Sequence, residues 1–317
     1  MAVYTQVSAE ALARFLTRFD VGDLVSAKGI AEGVENSNYL VETTTGRFIL
    51  TLYEKRVSAD DLPFFFALLD HLDREGNPVP PAIADRQGRT IHLVEGRPAC
   101  LIRFLPGVSV SHPTAAQARA AGHAMGRMHA SLSGFSGTRP NSLGVAAWRP
   151  LLDQCGGSID SIHPGLHDRL ARSLAEVERD WPVHLDRAAI HADLFPDNVL
   201  MLGDRVTGLI DFYFACTDIR AYDLAVMHSA WAFDATGAPV DPSVGSALVA
   251  GYDVAFTLTE AERPALSLLA RGACIRFALT RAWDWLNTPA DALVTRKDPL
   301  AYLRRLDWYE TNPQAFL

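Results

Sequence analysis

The order of secondary-structure patterns along the chain is the feature that most restricts its fold. Strand-like apolar runs, separated by glycine and polar turns, fill positions 24–54 and recur at 90–105. A helical pattern lies between these two groups and ends at Gly76, next to a proline-rich segment. Farther along the chain, the run from Thr114 to Leu132 and most of the segment after Tyr222 have helical spacing, with a strand-rich segment at 188–212 between them. The sequence therefore predicts an α+β protein in which a small antiparallel sheet precedes a larger helical part.

The change from strands to helices predicts two lobes. Five strands and two helices, one of them a short amphipathic helix from Ser8 to Phe19, are expected in a small β lobe at residues 1–105, and a mainly α lobe is expected at residues 106–317. Pro106 and Gly107 mark the crossing, because proline and glycine interrupt regular structure. We expect a ligand cleft where the two lobes meet.

Composition excludes several classes of protein. With 317 residues, of which 49% are hydrophobic, the chain can bury a substantial core. Its net charge of −8 comes from mixed charges without a block of one sign, so we expect neither nucleic-acid nor membrane binding. The four cysteines lack the CxxC spacing of a zinc site. The N-terminal residues lack a secretory pattern, and we therefore expect a cytoplasmic protein.

The strand-rich segment carries a group of residues typical of phosphoryl transfer. His191 and Asp193 form an H-x-D triplet, and Asn198 follows the aspartate after five positions. In the H-x-D-x-x-x-x-N loop of kinases, the aspartate accepts the proton of the attacking hydroxyl and the asparagine binds magnesium. Asp193 is therefore the predicted base, and His191 is predicted to anchor the loop. The alternative is that these are turn residues and a core histidine.

A predicted hairpin strengthens this hypothesis. Two apolar runs, one directly after Asn198 and one directly before Asp211, are joined by a Gly203-Asp204 turn. In an antiparallel pair, the start of one strand lies beside the end of the other, so Asn198 and Asp211 should meet. Their oxygens are ligands that Mg²⁺ prefers, and we predict that both residues bind Mg²⁺.

Two segments of the first lobe are candidates for binding ATP. The turn at 32–41 contains small and turn-forming residues whose backbone N–H groups could bind phosphates, although such a turn is often only a hairpin connection. The backbone of the strand before Pro106 could bind adenine. The residues predicted to bind the nucleotide are Gly33, Asn36, Ser37, Asn38, Ile102 and Phe104. A further candidate, Asp223, is expected to cap a helix, or alternatively to brace the loop around Asp193.

These motifs resemble a known family, the aminoglycoside-phosphotransferase-like kinases. HADLFPDNVL, GLIDF and YDLA match the general pattern of the family, while GVENSNYLV, FILTLYEKR, DLPFFFALLDHL and IDFYFACTD resemble its homoserine kinase branch. The resemblance implies a protein-kinase-like fold and ATP-dependent phosphorylation of the L-homoserine hydroxyl, a step of threonine biosynthesis. It also implies Asp193 as base, with Asn198 and Asp211 at magnesium.

The chain departs from the wider fold at Thr51, where related kinases have a lysine that binds ATP phosphates. With only three lysines, Lys28, Lys55 and Lys297, the chain must neutralise phosphate with one of these, with an arginine such as Arg56, or with magnesium. The substrate carboxylate and ammonium require an arginine and an acid. The candidates are Arg276, Arg281, Asp218 and Asp284, with Tyr213 and Trp231 as possible walls, although an ion pair is the simpler interpretation for each charged residue.

Several alternatives remain from the sequence. The same fold could phosphorylate choline, ethanolamine or an aminoglycoside, and the six tryptophans suit an aromatic cage for choline. Because Thr51 replaces lysine, a non-catalytic nucleotide-binding module is a second alternative. A metal hydrolase is a third, but no further His or Glu cluster supplies the ligands of a catalytic zinc. The sequence leaves the chain as either a monomer or a homodimer.

Overall fold

The computed structural model describes residues 4–30, 36–54, 58–288 and 296–316. The chain divides into two compact units, Met1–Pro106 and Gly107–Leu317. Throughout the described ranges, every helix is too short or too polar to cross a lipid bilayer.

The first unit is built on a five-stranded antiparallel sheet. Its strands are β1 (Leu24–Ile30), β2 (Asn36–Thr43), β3 (Arg47–Tyr53), β4 (His92–Val94) and β5 (Arg97–Arg103). They lie in the order β1-β2-β3-β5-β4, and each pair is antiparallel. The antiparallel sheet predicted from the strand-like runs is therefore confirmed.

Two helices belong to this unit. Helix α1 (Ala9–Leu16) begins after Ser8, whose hydroxyl accepts a hydrogen bond from the Ala11 N–H group at 3.1 Å. Its apolar residues are buried in one cluster with residues of β2, β3 and β5. Helix α2 (Leu62–Arg74) corresponds to the helical pattern predicted between the two groups of strands, and its Phe66 ring contacts the ring of Tyr53 in β3.

The second unit is mainly helical, as the sequence predicted. Its helices are α3 (Ala115–Leu132), α4 (Val145–Cys155), α5 (Leu166–Asp180), α6 (Arg220–Trp231), α7 (Pro242–Ala255), α8 (Glu262–Asn287) and α9 (Leu300–Thr311). Helix α8 is central, since it packs against α4, α5, α6 and α9. Although α8 contains four arginines, half of its residues are buried, Arg276 among them.

Two short strand pairs lie among these helices. Strands β7 (Val199–Leu202) and β8 (Arg205–Leu209) form the predicted hairpin, and Gly203 adopts φ +62° in its turn. Strands β6 (Arg187–Ile190) and β9 (Cys216–Ile219) pair antiparallel with each other. The second pair was not predicted, because β9 is only four residues long and contains two polar residues.

Helices α3 and α7 pack with their backbones in close contact. A Cβ atom added to Gly122 would lie 2.0 Å from the Leu248 carbonyl oxygen, and one added to Gly251 would lie 2.0 Å from that of Arg119. Glycine is therefore required at both positions. The close approach also brings His129 of α3 within hydrogen-bond distance of the Tyr252 hydroxyl of α7, at 2.8 Å.

Candidate active site

The H-x-D segment forms a loop that connects β6 to β7 in the second unit. Asp223, in the first turn of α6, holds the start of this loop with its carboxylate. Its Oδ2 atom accepts the N–H group of His191 at 2.8 Å, and its Oδ1 atom accepts that of Ala192 at 2.7 Å. Ala192 has φ +63°, a left-handed conformation that costs a non-glycine residue free energy, and these hydrogen bonds offset that cost.

The expected capping role of Asp223 is wrong, because α6 begins before it and Ile219 occupies the N-cap position. Its side chain instead braces the catalytic loop, which was the alternative prediction. Strand β9 runs directly into α6, and the loop follows β6. Because β6 and β9 pair with each other, the first turn of α6, which carries Asp223, lies close to the loop amides.

A buried hydrogen-bond chain supports Asp223 from behind. His129 Nε2 lies 3.0 Å from Asp223 Oδ2, and His129 Nδ1 lies 2.8 Å from the Tyr252 hydroxyl. Burial by itself would raise the pKa of the Asp223 carboxyl, but hydrogen bonding and charge from His129, with a contribution from His191, lower it below its usual value. Asp223 is therefore ionised, so His129 donates to it from Nε2.

His191 anchors the loop through both ring nitrogens. Its Nε2 atom lies 2.9 Å from the carbonyl oxygen of Ile210, which can only accept, so this nitrogen carries the proton. Its Nδ1 atom accepts the N–H group of Asp193 at 3.3 Å. The ring is fully buried, and burial lowers its pKa. Neutral His191 thus ties the loop to the end of β8 and contacts backbone atoms on both sides.

Asp193 is the carboxylate that these contacts position. Burial of its carboxyl group raises the pKa of Asp193 to about 8. The nearby charge of Arg276 lowers this pKa, whereas that of Asp211 raises it. A carboxylate with a raised pKa accepts a proton more readily than an ordinary aspartate, which suits a base that receives a hydroxyl proton.

Asn198 comes directly before β7 and Asp211 comes shortly after β8, so both lie at the open end of the hairpin, away from its turn. Ile210 N–H donates to the Asn198 carbonyl oxygen at 3.0 Å, so the residue before Asp211 is bonded to Asn198 itself. The Asn198 Nδ2 group donates to the Asp193 carbonyl oxygen at 2.7 Å, which fixes the orientation of the amide. Asp211, two residues after the end of β8, adopts φ +66° and is exposed.

These residues fit a magnesium ion. The amide orientation leaves Asn198 Oδ1 as an oxygen donor, and Asp193 and Asp211 are close enough for the charge of one to raise the pKa of the other. A divalent cation would relieve that repulsion. No cluster of three or more His, Cys, Asp or Glu residues that could hold a metal occurs in the described part of the chain. Magnesium, which retains waters and phosphate oxygens as ligands, needs no such cluster.

Arg276 of α8 supports the same loop from the other direction. Its Nη1 atom donates to the Ala192 carbonyl oxygen at 2.5 Å, and its guanidinium lies 4.5 Å from the Phe277 ring centroid. The side chain is fully buried. The ion pair expected for Arg276 is wrong, since within the described ranges it binds a backbone carbonyl and aromatic rings.

The comparison with known proteins agrees with this geometry. The model of a family described as "Phosphotransferase enzyme family" matches residues 26–265. The chain belongs to this phosphotransferase family. The resemblance to aminoglycoside-phosphotransferase-like kinases is thereby confirmed, and the protein is an enzyme that transfers phosphoryl groups, with ATP as the donor that its kinase family implies.

Curated relatives of this phosphotransferase match it over nearly its whole length. A protein of Azorhizobium caulinodans named homoserine kinase is 52% identical over 315 residues, covering 99% of this chain and 98% of the relative. A homoserine kinase of Nitrobacter winogradskyi is 53% identical over 306 residues, covering 96% of this chain and 94% of the relative.

Solved structures confirm the fold class. Amicoumacin kinase hAmiN matches with a TM-score of 0.71 at 13% identity, covering 97% of this chain and 95% of that one. Spectinomycin phosphotransferase APH(9)-Ia matches with a TM-score of 0.70 at 13% identity, covering 98% and 100%. At this identity the similarity concerns the fold alone.

In the first unit of this phosphotransferase, the residues predicted to bind nucleotide begin at the N-terminal end of β2. Gly33 lies outside the described residues. Ser37 is buried, accepts the N–H groups of Tyr4 and Thr5, and donates to Glu54 at 2.6 Å. Its hydroxyl thus joins the N-terminal segment to the sheet.

The neighbouring predicted residues lie on the same part of the sheet. Asn36 is buried at the start of β2 and is paired with Tyr53 of β3. Asn38 lies opposite Thr51, whose hydroxyl donates to Asn38 Oδ1 at 2.7 Å. Thr51 is itself buried, so the position of the missing lysine is filled by a neutral polar pair.

The residues predicted to bind adenine lie at the C-terminal end of β5. Ile102 is buried and pairs with Ile49 of β3, while Phe104 follows the last residue of the strand and is half-buried. Binding of nucleotide by all of these residues stays a prediction.

Sequence reasoning missed the support behind Asp193. His129 lies on an apolar helical face and reads as a core residue, and Tyr252 lies in an apolar helix. Asp218, a candidate for binding substrate, instead pairs with Arg187 at 3.3 Å and accepts a hydrogen bond from Asn141. Trp231, a candidate wall, is buried and donates to the Leu194 carbonyl oxygen at 3.1 Å.

Proposed function

We propose that this phosphotransferase is an ATP-dependent homoserine kinase, which converts L-homoserine to O-phospho-L-homoserine in threonine biosynthesis. The observation that carries the proposal is identity of more than half to proteins named homoserine kinase across almost the entire chain, with the Asp193 loop intact. A metabolic enzyme of this kind would act in the cytoplasm. Whether it acts as a monomer or a homodimer stays open to measurement.

In the proposed mechanism, the substrate hydroxyl attacks the γ-phosphorus of ATP, so that the new O–P bond forms while the bond from that phosphorus to the β–γ bridging oxygen breaks and ADP leaves. Asp193 accepts a hydrogen bond from the hydroxyl and takes its proton. Asp223 and His191 hold the backbone on either side of Ala192, so that Asp193 meets the hydroxyl without a prior rearrangement of the loop. Arg276 fixes the carbonyl of the same residue. Catalysis of phosphoryl transfer rests mainly on such positioning and on neutralising charge.

Asn198 and Asp211 would hold magnesium in this scheme. When bound there, the ion would neutralise charge on the ATP phosphates. Asn198 has a second role that the hydrogen bonds support, because its amide donates to the Asp193 carbonyl oxygen and so links the metal-binding residue to the base. The fully buried His191 would keep the end of β8, and hence Asp211, in register with the loop.

The proposal is tested by ADP release from Mg-ATP with L-homoserine, L-serine, choline, ethanolamine and kanamycin as acceptors. We expect turnover with L-homoserine to exceed that with every other acceptor. Selective turnover of another acceptor would replace homoserine but retain the kinase. No turnover with any of them, despite ATP binding, would favour a non-catalytic nucleotide-binding module.

The role of Asp193 is tested in the same assay. Asp193→Asn should lower kcat for L-homoserine by roughly 100-fold or more, because an amide cannot accept the proton, while ATP affinity changes little. Asp197→Asn, in the same loop but exposed, is the matched control and should retain wild-type turnover. Near-normal turnover of Asp193→Asn would remove it as the base.

A further inference from the structure

Three aromatic side chains pack together directly beside the catalytic loop. Phe195, two residues after Asp193, lies 5.0 Å from Phe277 of α8, measured between ring centroids. Phe277 in turn stacks on Tyr302 of α9 at 4.9 Å. The aromatic cluster of Phe195, Phe277 and Tyr302 therefore joins the loop that carries the base to the last two helices.

Cations surround this aromatic cluster. Arg281 lies over the Tyr302 ring at 4.5 Å, and the ammonium of Lys297 lies 5.9 Å from the centroid of Phe195. Neither side chain forms an ion pair with a carboxylate of the described residues, so the pairing expected for Arg281 is wrong. By contrast, Arg304 on the same helix as Tyr302 is paired with Asp298 at 2.9 Å.

Arg281 has unused hydrogen-bonding capacity. Among the described residues, its guanidinium donates one hydrogen bond, from Nη1 to the carbonyl oxygen of Asp298 at 3.1 Å. Burial lowers the pKa of Arg281, and the charge of Arg305 lowers it further, whereas Tyr302, Asp298 and, to a smaller extent, Asp193 raise it. A half-buried cation in this situation is stabilised by an anion that arrives with a ligand. The planar guanidinium also matches the two oxygens of a carboxylate.

The two cations, Arg281 and Lys297, lie near the base Asp193, where they could contact a negatively charged group of the substrate. Lys297 is close enough to Asp193 for its charge to lower the pKa of that carboxyl, and Asp193 is close enough to Arg281 for its charge to raise the pKa of the guanidinium. In L-homoserine, four bonds separate the hydroxyl oxygen from the carboxyl carbon. An amino acid with its hydroxyl at Asp193 would therefore carry its carboxylate toward the neighbouring cations.

We propose that Arg281, assisted by Lys297, binds the α-carboxylate of the amino-acid substrate and so selects amino acids over simple amino alcohols. The inference rests on the proposed homoserine kinase function and names the residues that would determine its specificity. Two nearby arginines are already committed elsewhere. Arg276 donates to the Ala192 carbonyl oxygen, and buried Arg305 donates to the carbonyl oxygens of Ser229 and Asp234.

The test compares two alcohols that differ only in the carboxylate, L-homoserine and 3-amino-1-propanol. Replacing Arg281 by Met should lower kcat/KM for L-homoserine by about 30-fold or more, mainly through KM, because a partly buried charge pair is lost. kcat/KM for 3-amino-1-propanol should stay within about twofold. Arg281→Lys should recover part of the loss, and Lys297→Met, at an exposed position, should cost up to about fivefold.

Arg304→Met is the matched control, because Arg304 contacts the same Asp298 but already has a carboxylate partner. It should leave both substrates unaffected. An equal loss for both alcohols in Arg281→Met would assign Arg281 a structural role and overturn the inference, while the proposed function would stand. Failure of the wild-type protein to phosphorylate L-homoserine would overturn both.

A second measurement does not depend on whether the protein phosphorylates 3-amino-1-propanol. L-2-Aminobutyrate keeps the carboxylate and lacks the hydroxyl, and it should inhibit the wild-type protein competitively against L-homoserine. In Arg281→Met its inhibition constant should rise by the same factor as KM for L-homoserine. An unchanged inhibition constant would show that the carboxylate is bound elsewhere.

Discussion

Replacing Asp223 by Asn would remove the brace of the catalytic loop while keeping the shape of the side chain. The carboxylate accepts hydrogen bonds from His191 N, Ala192 N and His129 Nε2 at 2.7–3.0 Å, and it is fully buried. An amide has one acceptor oxygen, so its Nδ2 group must face at least one of these N–H donors. Because Oδ2 accepts two of these donors and Oδ1 accepts one, the amide oxygen is best placed at Oδ2, and the contact with Ala192 is lost.

The magnitude follows from the hydrogen bond between Oδ1 and the Ala192 N–H group. A hydrogen bond to a charged group stabilises by about 1.5–3 kcal/mol, so its loss should lower the free energy of unfolding by roughly 2 kcal/mol or more. Domains are typically stable by about 5–15 kcal/mol, so the variant should still fold. The loop would relax from the left-handed conformation of Ala192, and a displacement of Asp193 by about 1 Å lowers turnover by roughly 100-fold.

Urea denaturation followed by tryptophan fluorescence and steady-state kinetics with L-homoserine would measure both effects. The matched control is Asp241→Asn, an exposed N-cap of α7 where one N–H group is accepted and Asn caps as well as Asp. Adding Ala192→Gly to Asp223→Asn should restore about 1 kcal/mol of stability, because glycine adopts positive φ without strain. Wild-type stability and turnover in Asp223→Asn would refute the bracing role.

Three further predictions follow from other parts of the structure. Asp211→Asn should raise the Mg²⁺ concentration that gives half-maximal turnover by roughly tenfold, since one anionic ligand is lost, and an unchanged requirement would remove Asp211 from the metal site. Gly251→Ala should lower the free energy of unfolding in urea by about 1–3 kcal/mol, because its Cβ would lie 2.0 Å from a carbonyl oxygen, whereas Gly157→Ala, in open space, should be neutral. Burial lowers the pKa of His228 to about 3 in the folded protein, whereas in the unfolded chain its pKa is about 6.5. Below pH 6.5 the imidazole therefore gains a proton in the unfolded state alone, and the free energy of unfolding should fall by about 2 kcal/mol between pH 6.5 and 5. His228→Gln should lack that part of the loss in urea titrations, and identical pH profiles would contradict it.

The hairpin that joins Asn198 to Asp211 could be predicted because every determinant of it is local. Two apolar runs flank a glycine turn, and pairing across that turn fixes which residues meet. The brace from Asp223 is different, since it joins residues 31 and 32 positions apart in sequence. It depends on the pairing of β6 with β9, two strands of four residues whose patterns are too short to be read from the sequence.

Helices α4 and α5 were not predicted from the sequence, and the reason differs between them. Helix α4 contains Pro150, which usually interrupts a helix, and is followed by Gly156, so its pattern reads as a loop. Helix α5 has a clear apolar stripe at Leu166, Leu170 and Leu174, spaced four residues apart, so that helix could have been predicted.

The contacts that hold Asp193 in place engage backbone atoms almost exclusively. Asp223 binds two N–H groups, Arg276 binds the Ala192 carbonyl oxygen, and His191 binds the Ile210 carbonyl oxygen and the Asp193 N–H group. Such contacts fix the shape of the loop but carry no information about the acceptor alcohol. Selection of the acceptor therefore depends on side chains outside the loop, and Arg281 and Lys297 are cations whose charges interact with that of Asp193. Substitutions at Arg281 should therefore change which alcohol is phosphorylated, while substitutions at Asp223 should slow every acceptor by the same factor.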